Sequence, residues 1–245
     1  MVQTPSAPPE ISVVVPVFDE AGAAPSLARE IAAAFAGRAF EILFVDDASR
    51  DGTRAALMAL RAEIPQIRVL GHHANAGQSR AIRTGVLAAR GAVIVTLDGD
   101  GQNDPADAPR LVEALAAGPP ELALVGGERV KRQDSGAKKL ASRIANGVRR
   151  RLLADQAVDT GCGLKAFRRE AFLRLPYFDH IHRYLPALML REGYRVAFVG
   201  VGHRPRRSGR SKYTNLGRLW ASVSDLAGVM WLRSRSRDPG RVVEL

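Results

Sequence analysis

AVIVTLDGD, residues 92–100, is the most informative stretch of the sequence. Its first part, Ala92–Leu97, is a short, almost wholly apolar run that is rich in β-branched residues. Such a run is typical of a strand buried on both faces of a sheet. Two carboxylates, Asp98 and Asp100, follow directly where this strand is expected to end. The stretch therefore predicts a buried strand that delivers acidic side chains to one edge of a sheet.

The same pattern recurs on either side of this stretch. Further strands are predicted at Ile11–Val17, Phe40–Val45, Ile67–Gly71 and Glu121–Gly127. Helical segments rich in Ala, Leu and Arg are predicted at Pro25–Phe35, Thr53–Glu63, Gln78–Arg90 and Asp107–Ala117. Alternating strands and helices are typical of an α/β fold with a mostly parallel sheet, flanking helices and right-handed crossovers.

Polar residues follow each of the first four predicted strands. In chain order they are Asp19 and Glu20, Asp46 and Asp47, Asn75 and Gly77, and Asp98 and Asp100. Ligands of open α/β sheets bind at the carboxyl ends of the strands. The four groups are therefore expected to converge on one site.

Asp98 and Asp100 are separated by one residue, so both carboxylates can approach a single divalent cation. Hard oxygen ligands of this kind favour Mg²⁺ or Mn²⁺. Gln102 supplies a further neutral oxygen two residues later. A cation held in this way keeps open positions for phosphate oxygens and stabilises a departing diphosphate.

Asp46 and Asp47 are candidates to accept hydrogen bonds from a base or a ribose, whereas Asp51 or Thr53 is a candidate cap for the next helix. No Gly-x-Gly-x-x-Gly follows the first strand, and the sequence has no Gly-x-x-x-x-Gly-Lys-Ser/Thr. Dinucleotide-binding folds and P-loop kinases are therefore disfavoured.

The second half of the sequence is less regular. A basic helix is predicted at Ala137–Leu153, another helix at Tyr184–Glu192 and a strand at Tyr194–Val201. DTGCGLKAF, residues 159–167, is interpreted as a glycine-rich turn that runs into a short apolar segment. We find no repeat or flexible linker in the sequence that would mark a second domain.

An amphipathic helix is predicted near the C-terminus, at about Leu216–Leu232, within a segment spanning residues 214–235. Its apolar residues recur at helical spacing, and it contains two tryptophans and is followed by RSRSR. Spanning a bilayer takes about 20 apolar residues, and this helix is shorter and contains Asp225. We interpret it as a helix that lies at the membrane interface. A helix packed in the core or between subunits is the alternative.

The basic charge lies mainly in the second half of the chain. The formal net charge is +11, and 19 of the 36 Lys and Arg residues lie in three segments with only 2 of the 25 acidic residues, at Arg129–Arg151, His203–Arg218 and Arg233–Arg241. Such a field attracts polyanions. Nucleic acid is disfavoured as the partner, because aromatic residues make up only 6% and are not interleaved with the basic ones.

The two ends of the sequence are expected to be tails, at residues 1–10 and 236–245. The first ten residues lack an apolar core, so we interpret them as a disordered tail and not as a signal peptide. The single cysteine, Cys162, excludes an intramolecular disulfide, fits a reducing compartment and is expected to be a small buried residue.

Four blocks of the first half resemble, in order and spacing, those of family 2 glycosyltransferases. They are VVPVFDE at 14–20, DDASRDGT at 46–53, NAGQSRAIRTG at 75–85 and DGDGQNDP at 98–105. Two later blocks, DTGCGLKAFRR at 159–169 and HRPRRSGRSKY at 203–213, are similar to polyprenyl-phosphate glycosyltransferases of the dolichol-phosphate mannose synthase type. The resemblance covers residues 11–213 and implies a GT-A domain there.

The resemblance also implies roles for individual residues. The nucleoside would be held by Pro16, Val17, Phe18, Glu20 and Asp47, with Asp46 nearby. The metal and the diphosphate would be held by Asp98, Asp100 and Gln102. The acceptor phosphate and donor diphosphate would be bound by Arg129, Arg143, Arg206, Arg207 and Lys212. The sequence departs from the family pattern at Asp19, usually Asn, and at Gly101, often Leu.

What the resemblance implies about activity is an inverting transfer of a sugar from a nucleotide-sugar to a polyprenyl phosphate. The alternative is transfer to a hydroxyl of a glycan or lipid by the same fold. The Gln-x-x-Arg-Trp motif of processive synthases is missing from the sequence, which disfavours polymerisation. We expect a peripheral enzyme at the cytoplasmic face of a membrane, either docked directly or paired with a small membrane partner.

Overall fold

The structure is a computed structural model that describes residues 8–130, 147, 151–153, 155, 159, 161–205 and 215–237, with 215–222 described by their backbone. Its strands are β1 Ile11–Val17, β2 Phe40–Asp46, β3 Ile67–Gly71, β4 Val93–Thr96, β5 Leu122–Arg129, β6 Lys165–Arg168 and β7 Arg195–Val201. Its helices are α1 Ala24–Ala34, α2 Thr53–Leu60, α3 Gln78–Ala88, α4 Ala108–Ala117, α5 Arg169–Leu173, α6 Leu185–Arg191 and α7 Asn215–Ser234. Short 3₁₀ turns lie at Pro105–Asp107 and Ile181–Arg183.

The strands form one seven-stranded sheet in the order β3-β2-β1-β4-β6-β5-β7. β1 pairs in parallel with β2 and β4, β2 pairs in parallel with β3, and β5 pairs in parallel with β7. β6 is antiparallel to both of its neighbours. The predicted α/β fold with a mostly parallel sheet and a C-terminal helix is therefore confirmed.

Helices cover both faces of the sheet. Successive side chains of a strand point to opposite faces, so each face presents apolar side chains to one layer of helices. Val13, Val15 and Val17 of β1 pack on one face with α1, α2 and α4, whereas Val14 packs on the other face with α3, α5 and α6. A strand with no water on either face favours apolar residues at most positions. This is why the central strands are nearly continuous apolar runs, interrupted by Ser12 and Glu41, which hydrogen-bond to each other.

The antiparallel strand β6 was not predicted. It has four residues, KAFR, of which the first and last are basic, so it shows neither a long apolar run nor a clear alternation. Its first residue, Lys165, pairs with Thr96 at the end of β4 and with Gly126 near the end of β5. The glycine-rich turn that precedes β6 therefore lies at the carboxyl edge of β4.

Helix α7 packs on the α6 side of the sheet. Val229 is buried in that core, and Arg191 Nε donates to the carbonyl of Leu232 at 3.0 Å. The side chains of His180 and Asp225 are joined by a 2.8 Å hydrogen bond. Within the part of the chain that the structure describes, no helix combines the length and apolar character needed to cross a bilayer.

Two of the predicted segments fall largely outside the described residues. The predicted basic helix Ala137–Leu153 is described only at 147 and 151–153, which are helical. Residues 1–7 of the expected N-terminal tail and 238–245 of the C-terminal tail also lie outside.

Candidate active site

Asp98, Gly99 and Asp100 form a tight turn at the carboxyl end of β4. The backbone N–H of Asp98 donates to Asn103 Oδ1 at 3.2 Å, and that of Gln102 donates to Asp100 Oδ1 at 3.1 Å. Gly101 has a φ of +73°, a left-handed conformation that suits glycine far better than the leucine often found there in the family. The departure at this position is thus explained by the turn.

This turn lies directly against the end of β1. A Cβ atom added to Gly99 would come within 2.7 Å of the carbonyl oxygen of Pro16 and 2.8 Å of Val17 Cγ1. Two predicted nucleotide-binding residues therefore adjoin the turn that carries the predicted metal ligands, Pro16 through its carbonyl and Val17 through its side chain.

The Asp98 carboxylate is partly buried and lies close to a second negative charge. Burial, followed by repulsion from Asp100, raises the pKa of Asp98 to about 6. Gln78 at the start of α3 opposes this shift, because its Nε2 donates to Asp98 Oδ1 at 2.7 Å. Two neighbouring carboxylates of which one is partly buried are an arrangement that a divalent cation neutralises.

The acidic turn fits Mg²⁺ or Mn²⁺ held partly by substrate. Among the described residues, no cluster of three or more His, Cys, Asp or Glu side chains is arranged to hold a metal. Mg²⁺ is commonly bound by one or two carboxylates, with waters and substrate phosphates completing its shell. Asp98 and Asp100 are the candidate carboxylates, and the Gln102 amide is a third candidate.

A cavity of about 840 Å³ opens beside the ends of β2 and β3. This volume is within the usual range for small-molecule sites. Of the predicted nucleoside contacts, Phe18 lines it, whereas Pro16, Val17, Glu20, Asp46 and Asp47 do not. Its lining residues are Phe18, Ala48, Ser49, Arg50, Asp51, Arg54, Ala55, His72, His73, Ala74 and Asn75.

Asp46 does not line this cavity but holds two residues that do, Ser49 and Arg54. Its side chain is fully buried and accepts hydrogen bonds from Arg54 Nε at 2.6 Å and from the backbone N–H of Ser49 at 2.9 Å. The predicted cap of α2 by Asp51 or Thr53 is wrong, because Gly52 is the N-cap and no side chain caps the helix. Asp51 instead holds the preceding turn, since its Oδ1 accepts from the Thr53 N–H at 2.9 Å.

Asp47 holds the loop that follows β3. Its two carboxylate oxygens accept hydrogen bonds from the backbone N–H groups of Ala76 and Gly77, at 2.9 and 2.8 Å. Oδ1 also lies 2.6 Å from His72 Nδ1. Asp47 is therefore a positioning residue for two walls of the cavity, and its own carboxylate is buried.

Asp19, the second departure from the family pattern, joins the β1 and β2 loops. It has a φ of +52°, which asparagine and aspartate tolerate better than most residues. Its Oδ1 accepts from the Arg50 N–H at 2.7 Å, and its own N–H donates to Ser49 Oγ at 3.0 Å. Glu20 is buried beside the same loop and its N–H donates to Thr53 Oγ1 at 2.8 Å.

A second cavity, of about 190 Å³, lies beneath Asp98. Lys165 is buried in its wall and its ammonium donates to the carbonyl of Cys162. Burial lowers the pKa of Lys165 and holds that of His182 well below its ordinary value. His182 Nδ1 lies 2.7 Å from Ser79 Oγ. We call this space the inner cavity.

Of the five predicted phosphate-binding residues, the structure describes Arg129. Arg129 forms a bidentate ion pair with Asp159, at 2.5 and 2.7 Å, and this contact raises the pKa of Arg129. The guanidinium lies close to the inner cavity, because an added Cβ at Gly161 would be 3.1 Å from its Nη2. Arg143, Arg206, Arg207 and Lys212 lie outside the described residues.

Three residues that line the inner cavity were not among the candidates from the sequence: Gln78, Lys165 and His182. Gln78 could have been proposed from the sequence, because its predicted helix begins directly after the Asn75 and Gly77 loop. Lys165 and His182 gave no signal, because they lie in a short strand and a 3₁₀ turn. The expectation that Cys162 is a buried small residue is confirmed, and burial raises the pKa of its thiol.

The chain shares its fold with solved glycosyltransferases. Glucosyl-3-phosphoglycerate synthase from Mycobacterium tuberculosis, in complex with uridine diphosphate, superposes with a TM-score of 0.68. The match covers 95% of this chain and 82% of that chain at 22% sequence identity. This likeness shows that the two proteins have the same GT-A fold.

The sequence is similar to two curated enzymes. The dodecaprenyl-phosphate galacturonate synthase of Rhizobium johnstonii is 33% identical over 237 residues, which cover 94% of this chain and 69% of that protein. The undecaprenyl-phosphate 4-deoxy-4-formamido-L-arabinose transferase of Pseudomonas aeruginosa is 37% identical over 224 residues, which cover 90% of this chain and 65% of that protein. The chain thus spans about two thirds of the length of these relatives.

The resemblance noted in the sequence is confirmed by the family comparison. The sequence model of glycosyl transferase family 2 matches residues 12–175, which include β1 to β6 and the Asp98–Asp100 turn. Together with the shared fold and the identity to curated transferases over most of its length, this match shows that the chain belongs to glycosyl transferase family 2.

Proposed function

We propose that this glycosyltransferase moves a sugar from a metal-bound nucleotide-sugar to a polyprenyl phosphate, with inversion, at the cytoplasmic face of a membrane. The observation that carries the proposal is the paired Asp98 and Asp100 turn, which lies against the end of β1 at the same edge of the sheet as the loops that line the larger cavity. The names of both curated relatives describe transfer to a polyprenyl phosphate or synthesis of a polyprenyl-phosphate sugar.

The two parts of the donor, the nucleoside and the diphosphate, are assigned to different features of the site. The nucleoside occupies the larger cavity, where Phe18 and the loops held by Asp46 and Asp47 form the walls. The diphosphate lies at the Asp98–Asp100 turn. A bound Mg²⁺ or Mn²⁺ supplies charge neutralisation for the diphosphate and for the leaving group.

The reaction forms one bond and breaks one bond at the anomeric carbon. An oxygen of the acceptor phosphate attacks this carbon on the face opposite the diphosphate, and the carbon–oxygen bond to the β-phosphate breaks. The nucleoside diphosphate leaves with the electron pair. A phosphate monoester has a second pKa near 6, so the acceptor is already anionic at neutral pH and needs no strong general base.

The basic charge of the chain helps to bring the two anions together. Candidates for this role are Arg129, Arg143, Arg206, Arg207 and Lys212. Arg129 is held by Asp159, so its guanidinium is oriented before any ligand binds. Guanidinium groups bind phosphate through two parallel hydrogen bonds, which makes arginine suited to this task.

Helix α7 supports docking at a membrane surface. Val223, Met230 and Trp231 are exposed, and Trp231 lies within 6.0 Å of the Arg235 guanidinium. Exposed apolar side chains next to arginines suit the interface of a membrane with anionic lipids. A small membrane partner that covers the same face is the alternative.

A release assay tests the proposed reaction. Purified protein receives Mn²⁺ or Mg²⁺, a short polyprenyl phosphate and a panel of nucleotide-sugars, and free nucleoside diphosphate is measured. Release that needs both metal and lipid phosphate, with formation of an acid-labile lipid-phosphate sugar, supports the proposal. Release without lipid phosphate, or formation of an acid-stable glycoside on a hydroxyl acceptor, contradicts it.

A further inference from the structure

Gln78, the first residue of α3, lies between two neighbours that are each held by a side chain distant in sequence. The backbone N–H of Gly77 donates to Asp47 Oδ2 at 2.8 Å. On the other side, Ser79 Oγ lies 2.7 Å from Nδ1 of His182. The backbone of Gln78 is therefore anchored both before and after it.

The side chain of Gln78 connects this anchored backbone to Asp98. Its Nε2 donates to Asp98 Oδ1 at 2.7 Å, and the backbone at Gly163 contacts the same carboxylate. The orientation of the carboxylate thus depends on where the Gln78 amide lies. A shift of the first turn of α3 would move that amide away from the carboxylate.

The Ser79 side of the contact with His182 is completely buried, with an exposure of 0%. His182 belongs to the 3₁₀ turn Ile181–Arg183 and lines the inner cavity. Breaking a hydrogen bond to a buried hydroxyl leaves that hydroxyl without a partner, which is costly. The contact therefore holds the start of α3 and the 3₁₀ turn in one arrangement.

The segment around His182 is itself attached to two helices. Arg80 of α3 stacks on the ring of Tyr177, with its guanidinium carbon 4.1 Å from the ring centroid. His180 Nδ1 forms a 2.8 Å hydrogen bond with Asp225 of α7. These contacts hold the segment against both helices, so the imidazole of His182 has a defined position.

His182 is neutral, so its contact with Ser79 carries no charge. Burial, followed by the positive charges of Lys165 and Arg183, holds the pKa of His182 well below its ordinary value. Replacing the imidazole by an uncharged side chain therefore removes a hydrogen bond without changing the charge near Asp98. The effect of the contact can thus be measured separately from electrostatic effects.

We infer that His182 is a positioning residue for transfer, which holds the first turn of α3 through Ser79 and so keeps the Gln78 amide on Asp98. The inference rests on the proposed transfer reaction, to which it adds the Ser79–His182 pair. Neither residue has to contact a substrate in this role, because both act through Gln78.

The test uses three variants of the contact and one control. Ser79→Ala and His182→Leu remove the hydrogen bond, whereas His182→Asn keeps a polar group at the position of Nδ1. Ser12→Ala is the control, because it removes a hydroxyl that is equally buried and donates to Glu41 at 2.7 Å, far from the carboxyl ends of the strands.

The first measurement needs no substrate. In ¹⁵N-labelled protein, the side-chain amide signals of Gln78, assigned by their loss in Gln78→Met, report its hydrogen bond to Asp98. We expect these signals to shift towards those of a solvent-exposed glutamine amide in Ser79→Ala and His182→Leu. They should stay unchanged in His182→Asn and Ser12→Ala.

The second measurement is the steady-state rate of transfer. We expect kcat to fall at least about tenfold in Ser79→Ala and His182→Leu, because displaced groups at a reacting centre lose much of their effect. The KM for the donor should stay within about threefold of the wild type in both variants. The double variant should lose no more than either single variant, because both changes break the same contact. His182→Asn and Ser12→Ala should keep kcat within about threefold of the wild type.

Three results overturn the inference. The first is unchanged Gln78 amide signals in both Ser79→Ala and His182→Leu. The second is a loss of kcat in Ser12→Ala as large as that in Ser79→Ala. The third is a double variant in which the two single losses multiply, because the residues would then act separately.

The outcome is separable from that of the proposed function. Ser79→Ala removes a single oxygen atom and carries the test if His182→Leu does not fold. The amide signals decide whether the contact positions Gln78 even if the wild type transfers no sugar to polyprenyl phosphate. That failure of transfer would contradict the proposed function alone.

Discussion

A Cβ atom placed on Gly163 would lie 2.3 Å from Cγ of Asp98. The backbone of the turn before β6 is therefore in close contact with the Asp98 carboxylate that follows β4. Because nothing larger than a hydrogen atom fits between them, Gly163 fixes where the Asp98 carboxylate lies.

Gly163→Ala is expected to displace Asp98 and to reduce transfer at least about 100-fold, because misplaced catalytic groups lose much of their effect. The matched control is Gly228→Ala in α7, where an added Cβ meets no atom within 4 Å. That change should leave transfer unaltered and stabilise the helix by about 0.5–1 kcal/mol. Steady-state rates and thermal melts check both variants. Wild-type activity in Gly163→Ala would show that the Asp98 position is not critical.

Asp98→Asn and Asp100→Asn should each lower kcat at least about 100-fold, as expected when charge stabilisation at the leaving group is removed. The metal-free Asp98→Asn protein should be as stable as the wild type or more so, because a partly buried carboxylate near Asp100 is removed. Removal of divalent ions with a chelator should abolish wild-type turnover, and added Mn²⁺ should restore it. Glu113→Gln, at an exposed ion pair, is the control.

Breaking the Arg129–Asp159 pair should destabilise the fold. Both side chains are largely buried, so Arg129→Met or Asp159→Asn removes one partner of a buried ion pair at a cost of about 3 kcal/mol or more. The double variant should cost clearly less than the sum of the two single changes. Urea unfolding of the four proteins gives the coupling energy. Additive effects would mean that the pair contributes nothing as a unit.

Glu41 lies at the edge of the sheet opposite the site. We expect it to make the free energy of unfolding depend on pH. Burial raises its pKa, but hydrogen bonds from the Arg90 N–H, the Ser12 hydroxyl and Arg68 outweigh burial and hold the pKa below its ordinary value of 4.5. A carboxylate with a lowered pKa in the folded state stabilises the fold above pH 4.5, and this contribution is lost as the pH falls further.

Glu41→Gln should therefore be less stable than the wild type by about 1–2 kcal/mol at pH 7. The difference should shrink as the pH falls below about 4.5, which urea unfolding at several pH values measures. A difference that stays constant with pH would contradict the role given to the ionised carboxylate.

Trp231 should contribute to membrane binding. It is 59% exposed on α7, and moving such a side chain from water to the interface gains about 1.5 kcal/mol or more. Trp231→Ser is expected to weaken binding to vesicles that contain anionic lipid about tenfold, as measured by co-sedimentation. Leu87→Ser removes a side chain of similar exposure from α3 and should have no effect. Equal losses in both variants would contradict a docking role for α7.

The strands of the first half were the most predictable part of the fold. The bounds of β1 and β3 agree with the predictions, Ile11–Val17 and Ile67–Gly71. In the central strands apolar side chains are required on both faces, so the apolar run begins and ends with the strand. The polar residues at the strand ends were likewise predictable, because a parallel sheet brings its carboxyl ends to one edge.

The remaining parts of the site depend on long-range contacts. Lys165 is basic, so in a four-residue strand it gave no sign that it is buried under Asp98. Asp47 was predicted to contact the nucleoside, whereas its carboxylate binds the loop at 76–77, a pairing that the sequence alone does not encode. The predicted roles of the individual site residues remain predictions.

The position of β6 has a consequence for how such enzymes diversify. β5 ends and β6 begins at the same edge of the sheet, as shown by the 2.9 Å hydrogen bond from the Gly127 N–H to the carbonyl of Leu164. The intervening segment thus leaves and re-enters the sheet beside the reacting groups. Leu153 of this segment is packed in the core, and Asp159 is paired with Arg129. Divergence among such enzymes is therefore constrained at these anchor residues even where the rest of the insertion changes.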